Sequence, residues 1–354
     1  MIKINLSNKL SNMDVKMNSK SFLTNYADKI IDRKFKQFPY TKNKTTQEKE
    51  YIDQYYFDVT QSHMKNKEKN KITILDIFIF QHTKNQDFRN LCTKLRKLLN
   101  ISFTSGWERV LIKKVITLSP SYLDKLVKLL DKCNLDNKIL KIIKSMFDYE
   151  DSRKVIVKFV RQLNFKVCIY CNRNYINNFT KKITDDTSTN DIDRQLFTLD
   201  HYHQHADYPL LALSFFNLIP SCHVCNSLIK SKRNNLNQFK NPYNKSYNFQ
   251  ELATFKLLKA KKVKLTSDDE ECKKYIEDFY INEVYKTHAS DVAEELNKRD
   301  IFTDNLISQY AKISNTTEEN VKDAVFGENI SIEDFDQKPL SKLKYDIQKQ
   351  IKIK

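Results

Sequence analysis

Cys168-Ile169-Tyr170-Cys171 and, about fifty residues further on, Cys222-His223-Val224-Cys225 are two Cys-x-x-Cys pairs, and their reading decides what the middle of this 354-residue chain can be. Each pair can set two thiolates at adjacent corners of a tetrahedron. Two pairs complete a four-thiolate site of the kind that holds structural zinc. A redox-active pair, or plain burial of small apolar side chains, is the alternative. Four thiolates leave no open position on a tetrahedral ion, so zinc held here staples the fold and catalysis lies elsewhere. The remaining cysteines, Cys92, Cys133 and Cys272, are isolated, and the total of seven is odd. Together with a first stretch, MIKINLSNKL, that has no long apolar segment, this points away from a disulfide framework and towards a reducing, cytoplasmic setting.

Between the pairs runs Leu199-Asp200-His201-Tyr202-His203-Gln204-His205, followed by Asn217-Leu218-Ile219-Pro220-Ser221, which leads into Cys222. Asn226 comes directly after Cys225, at the start of a short helix expected over 227–232. Residues 195–202 read as a strand. Neighbouring strand side chains point to opposite faces, so a bulge or twist is needed to bring Asp200 and His201 to one site. His201, His203 and His205 would share a face. His203 is then either an additional metal ligand or a solvent-facing or hydrogen-bonded side chain. His205 and His223 read as ordinary polar side chains.

Outward from this centre the sequence is mostly helical. Residues 1–20 are polar and lack periodicity, as a frayed lead-in does. Phe22, Tyr26, Ile30 and Ile31 recur at helical spacing, as do Leu91, Leu95, Leu98 and Leu99, and Leu123, Val127, Leu129 and Leu130. Ser119-Pro120-Ser121 is a helix start, and 134–137 a break. Segments 40–49 and 65–71 read as loops, and Trp107 beside Gly106 has no evident role. The acid-rich stretch 184–193 reads as a loop between strands, and Asn241-Pro242-Tyr243 as a turn. Helical periodicity returns at 275–285 and 292–306, and 342–347 falls in a last amphipathic helix.

The net charge of +17 suits a polyanionic partner such as nucleic acid, although a chain rich in Lys, Asn and Ile with two glycines also has the look of AT-biased codon use. Local clustering says more. Residues 226–266 hold ten Lys or Arg and one acid, whereas 267–300 hold five basic and eleven acidic residues. The lysines from Lys256 to Lys264 form either a backbone-contacting patch or a solvated charge run. No run of 18 apolar residues is present, so no membrane partner is expected. Gly106 and Gly327 are the only glycines, too few for a phosphate-cradling loop, so any ATP chemistry belongs to a partner.

Cys168, Cys171, Asp200, His201, Asn217, Leu218, Cys222, Cys225, Asn226 and Lys230, in that order, resemble the pattern of the HNH endonucleases, the ββα-metal nucleases. The likeness covers about seventy residues and includes Tyr208-Pro209-Leu210-Leu211-Ala212-Leu213 as the spacer before Asn217. It departs from the family at Gln204-His205, where Pro-Lys is common, and in the long gap between Cys171 and Asp200. The resemblance implies an α+β fold class: a mostly helical chain with a central zinc-stapled ββα module. The corresponding regions are a helical 1–160, the nuclease module 161–245, and a helical 246–354.

The implied chemistry is metal-dependent hydrolysis of phosphodiester bonds, in DNA before RNA. His201 would act as general base, because imidazole titrates near neutral pH. Asp200 and Asn226 offer hard oxygen ligands for Mg2+ or Mn2+. Asn217, through its amide, would hold the loop that aims His201. Lys230, Lys232 and Arg233 are placed to meet phosphates, or else form a solvated helix face. A ribonuclease or tRNA-cutting toxin on the same fold, and an inactive zinc-knuckle binding module, are the rival readings. By family analogy alone, such a chain would serve in antiphage defence beside an ATPase subunit.

Overall fold

Phe22 and Tyr26, one helical turn apart, meet Phe159 and Phe215 edge-on, with ring centroids 5.1 to 5.4 Å apart. That geometry sets the positive ring edges against the negative ring faces. It forms the centre of one of two compact units in a computed structural model that describes residues 2–11, 18–32, 74–133, 135–177, 179–185, 188–230, 239–328 and 330–352. Among the described residues no helix is long and apolar enough to cross a membrane. The expected loops at 40–49 and 65–71 lie outside the described residues. The division into two units cuts across residues 161–245, because the chain leaves one unit after Asp200 and re-enters it at Ile219.

The helical unit comprises Leu6–Leu163 and His201–Leu218. Among the described residues its helices are α1 (Leu6–Ser11), α2 (Ser19–Ile31), α3 (Ile74–Lys84), α4 (Gln86–Leu98), α5 (Trp107–Ile116), α6 (Pro120–Asp131), α7 (Asn137–Met146) and α8 (Tyr149–Gln162). Their starts follow local chemistry. Asn18, Asn85, Asp136 and Asp148 each accept a backbone N–H of the first turn, and Pro120 opens α6. Gly106, at φ 77°, supplies the left-handed residue before α5. Trp107 has a packing role: it is buried, and the Arg96 guanidinium lies 4.9 Å from its ring centroid. The returning loop is locked into this bundle. Tyr26 donates to the Leu213 carbonyl at 3.0 Å, and the Ser214 hydroxyl to that of Val115 at 2.5 Å.

The knuckle unit comprises Met1–Asn5, Asn164–Asp200 and Ile219–Lys354. Among its described residues are three two-stranded sheets: β1 (Phe179–Asp185) antiparallel with β2 (Ser188–Arg194), β3 (Thr198–His201) with β4 (Leu218–Ser221), and, after α9 (Phe249–Leu252), β5 (Ala253–Leu257) antiparallel with β6 (Val263–Ser267). The helices that follow are α10 (Glu270–Asp278), α11 (Ile281–Tyr285), α12 (Ala289–Ile301), α13 (Asp304–Ile313), α14 (Glu318–Phe326) and α15 (Ser341–Gln350).

Two expectations are corrected here. Residues 184–185 and 188–193 are strand, not loop: they belong to β1 and β2, whose ladder runs from Phe179↔Arg194 to Asp185↔Ser188. The ladder is made by main-chain groups, so a polar, acid-rich composition does not forbid it. The first residues are not frayed either. Ile2 and Ile4 are buried, and their N–H groups donate to the carbonyls of Ile169 (3.0 Å) and Pro242 (2.9 Å). The alternation Ile-Lys-Ile is a two-residue period, too short to stand out in a helical search. The mostly helical α+β architecture and the closing amphipathic helix, α15, are as the sequence implies.

Candidate metal centre and active site

In the knuckle unit the sulfurs of Cys168, Cys171, Cys222 and Cys225 lie within 4.8 Å of one another, and all four residues are buried. Main-chain geometry brings them there. The first pair sits in a tight turn closed by Val167↔Tyr175, by Cys168 N–H on the Asn174 carbonyl (3.0 Å) and by Asn172 N–H on that of Cys168 (2.9 Å). Asn172 takes the left-handed φ of 54° that ends the turn, a conformation Asn tolerates better than most residues. The second pair follows β4 and opens the π-helical turn Val224–Ile229.

Around the sulfurs the surroundings are donors and aromatic walls. Cys222 N–H donates to Cys168 Sγ at 3.2 Å, and Asn174 Nδ2 to Cys222 Sγ at 3.3 Å. Tyr275 and Tyr285 donate to the carbonyls of Tyr170 and Cys171, both at 2.7 Å. Asn172 ties the turn to the C-terminal segment, donating to the Phe335 carbonyl at 2.6 Å and accepting Lys342 N–H at 2.9 Å.

Electrostatics divides the quartet. Burial pushes the Cys168 thiol well up, whereas hydrogen bonding from Cys168 holds Cys171 and Cys222 down. Four thiolates at this spacing coexist when a divalent cation offsets their charge. The donor set, its burial and its N–H···S contacts fit structural zinc: four soft ligands, no open position, and outer donors that orient the sulfurs.

Asp200 ends its stretch of the knuckle unit with its carboxylate almost fully buried. Its Oδ2 accepts the Tyr170 hydroxyl and the Lys230 ammonium, each at 2.5 Å. Both bonds are charge-assisted, the strong class. Tyr170 lies between the two cysteines of the first pair, and Lys230 follows the π turn that begins at the second, so the quartet fixes both partners of Asp200. Lys230, assigned from sequence to phosphates, is thus buried on a carboxylate. A buried ammonium needs such a partner to offset its lost hydration. Asn226 is half-buried in the π turn, its N–H on the Cys222 carbonyl at 3.1 Å. Lys232 and Arg233 lie outside the described residues. Among the described residues, the cysteine quartet is the only group of three or more His, Cys, Asp or Glu side chains placed to share a metal.

In the helical unit His201 is buried, with Nε2 3.0 Å from the Ala212 carbonyl. A carbonyl only accepts, so this contact assigns the ring proton to Nε2 and the basic lone pair of the neutral ring to Nδ1. The ring edge meets Tyr149 at 4.8 Å between centroids, and His205 lies 4.5 Å away. Burial pushes the Tyr149 phenol up to about 12 and depresses the His205 imidazole, so at neutral pH both are uncharged neighbours of His201.

Asn217 is fully buried. Its Nδ2 donates to the carbonyls of His203 (3.0 Å) and Leu211 (3.1 Å), and its Oδ1 accepts His203 N–H at 2.7 Å. Tyr202 N–H completes the closure on the Asn217 carbonyl at 2.8 Å. One carboxamide therefore closes the 201–218 loop. His203 is buried rather than solvent-facing, and its Nε2 lies 3.2 Å from Asp124 Oδ1 on α6. His223 is exposed. The bond from Tyr170 to Asp200 has no sequence signature, because nothing short-range links residues thirty positions apart.

Comparison with known protein families, with curated proteins and with solved structures finds no match to this chain.

Proposed function

We propose that this protein is a metal-dependent HNH-type endonuclease that hydrolyses phosphodiester bonds, in DNA as its first substrate. One observation carries the reading. The thiolate quartet lies at the root of β3–β4 and the π turn, the elements that present Asp200, Lys230 and Asn226. A staple in that place has a purpose if those three side chains must be held still.

Asp200 and Asn226 are the proposed oxygen ligands of a hard divalent ion, Mg2+ or Mn2+. Their chemistry fits, and the buried Asp200 carboxylate already draws a positive charge onto Oδ2. Bound there, such an ion supplies Lewis acidity to the phosphate. His201, consecutive with Asp200, is the proposed general base. The Ala212 carbonyl fixes its tautomer, and Nδ1 accepts the proton of the attacking water. Asn217 is a positioning residue that holds the loop carrying His201. Lys232 and Arg233 are the proposed phosphate contacts, whereas Lys230, seated on Asp200, is proposed to hold that carboxylate in place. By family analogy alone, the chain would act in antiphage defence; two glycines cannot build a nucleotide loop, so any ATPase would be a partner.

The seat of Lys230 on Asp200 also favours a second reading, a zinc-knuckle binding module in which the ammonium replaces a catalytic ion. Supercoiled plasmid incubated with the protein and Mg2+ or Mn2+ separates the two. The nuclease nicks or linearises it, and excess chelator stops the reaction. Cutting that persists in excess chelator overturns the mechanism, and no cutting at all favours the binding module. Single-stranded RNA run in parallel reports a ribonuclease.

A further inference from the structure

In the knuckle unit, β5 and β6 pair in the register Ala253↔Ser267 to Leu257↔Val263, which places Lys256 directly opposite Lys264. Strand alternation turns Phe255 and Leu265 inwards, both buried, and turns Lys256 and Lys264 outwards, both exposed. Lys259, Lys261 and Lys262 extend the charge round the tip, and no acid occurs between Ala253 and Ser267. Like charges directly opposite on one face destabilise a hairpin. Among the described residues none of these lysines is in an ion pair that would relieve the repulsion. The one bond made is from Lys261 to the neutral Asn297 carboxamide, at 3.0 Å.

The hairpin is nevertheless held firmly from its inner side. Phe255 N–H donates to Asp346 at 2.8 Å, the Phe255 carbonyl accepts Gln350 at 2.6 Å, and Asn282 brackets Leu265 with bonds of 2.7 and 3.2 Å. The tip requires left-handed backbone at Ala260 (φ 60°) and Lys261 (φ 59°), neither of them glycine. A rigid ribbon thus carries an uncompensated row of ammonium groups on its outer face.

We infer that the outer face of the β5–β6 hairpin binds the phosphodiester backbone of a nucleic acid, with Lys256, Lys262 and Lys264 as the contact cations. Charge complementarity identifies the occupant. Along one strand, alternate residues stand about 6.6 Å apart, so Lys262 and Lys264 present successive positive charges to a polyanion, with Lys256 beside them. A two-stranded ribbon is also of a width that enters a DNA major groove. An anionic membrane fits less well, because interfacial binding needs a broad apolar face and the tip exposes only Leu258. The inference rests on the nuclease reading for its substrate class and supplies that reading with a binding surface outside the Asp200–Lys230 pair.

The test is fluorescence anisotropy of a labelled 20-base-pair duplex with the full-length protein, without added divalent ion, across a salt series. The variants are Lys256→Gln/Lys264→Gln and an equal-charge control, Lys29→Gln/Lys125→Gln, with melting curves to confirm folding. The hairpin variant is expected to bind at least about tenfold more weakly at low salt. Its log K against log salt slope is expected to fall by about 2, as for two lost phosphate contacts, and the control should match wild type. Equal binding and slope in the hairpin variant overturn the proposal, as does a variant that loses binding only to phosphatidylserine vesicles. The two readings fail separately. Weakened binding in a protein that never cuts leaves the hairpin assignment and removes the nuclease. Cutting by a protein whose hairpin variant binds normally does the reverse.

Discussion

The cysteine knuckle and the 201–218 loop are built by opposite means. In the knuckle, four side chains from two segments about fifty residues apart converge, and as thiolates they need a cation to offset their charge. In the loop, a single carboxamide satisfies three main-chain groups within fourteen residues, and nothing charged is needed. The two therefore fail in different ways. The knuckle should be all-or-none and dependent on metal, whereas the loop should weaken by degrees as individual bonds are removed.

The largest effect is therefore expected at the knuckle. Cys168→Ser removes one of four sulfurs, and structural zinc binding is worth about 10 kcal/mol or more of folding free energy in small zinc modules. The variant is expected to lose its zinc and melt far below wild type, as read by metal analysis and calorimetry. One zinc per chain in wild type is the companion result. A protein purified under reducing conditions that holds no zinc, and a Cys168→Ser variant that melts like wild type, would break the contrast.

Asn217→Ala is expected to be graded. It strands His203 N–H and two carbonyls in a buried loop, at roughly 1–3 kcal/mol for each unsatisfied group before water or relaxation compensates. The apparent Tm should drop by several degrees with zinc content unchanged. Asn217→Asp, which keeps the acceptor and loses the donors, sharpens the point if its loss is distinct from that of Ala.

The smallest effect belongs to a surface contact of the helical unit. Although burial pushes the Asp28 carboxyl up, hydrogen bonds from Lys113 (2.6 Å) and Arg109 (2.8 Å) outweigh it and hold the group below its usual value of 3.8. A depressed carboxyl contributes stability that is fully present above the unfolded pKa and is lost as pH falls through the folded one. Asp28→Asn should therefore cost at most about 1 kcal/mol at neutral pH, because the partly exposed pair is screened. The gap from wild type should close below about pH 4 and shrink with salt. A gap that widens on acidification contradicts the assignment.

How much of this was legible in the sequence follows the range of the interactions. The quartet could be read because two-residue spacing within a pair is itself the geometric requirement. The core face of α2 could be read because Phe22, Tyr26, Ile30 and Ile31 repeat with the helix, and all four are buried. What escaped was long-range or carried by the main chain. The β1–β2 ladder forms from backbone groups that composition does not report. Ile2 and Ile4 find partners 167 and 238 positions away. Lys230 looked like one more surface lysine, because no local pattern announces a buried carboxylate thirty residues upstream. The break between units after Asp200, inside what reads as one module, has no compositional mark at all.

The proposed chemistry turns on His201, and one measurement addresses it most directly: the rate of plasmid cleavage by His201→Ala against wild type, with Mg2+ or Mn2+ present and equal zinc content confirmed in both. Wild type is expected to cut, and the variant, still folded by its melting curve, to lose about 10²-fold or more, the scale of a general base. A folded, zinc-loaded His201→Ala protein that cuts as fast as wild type would contradict the account.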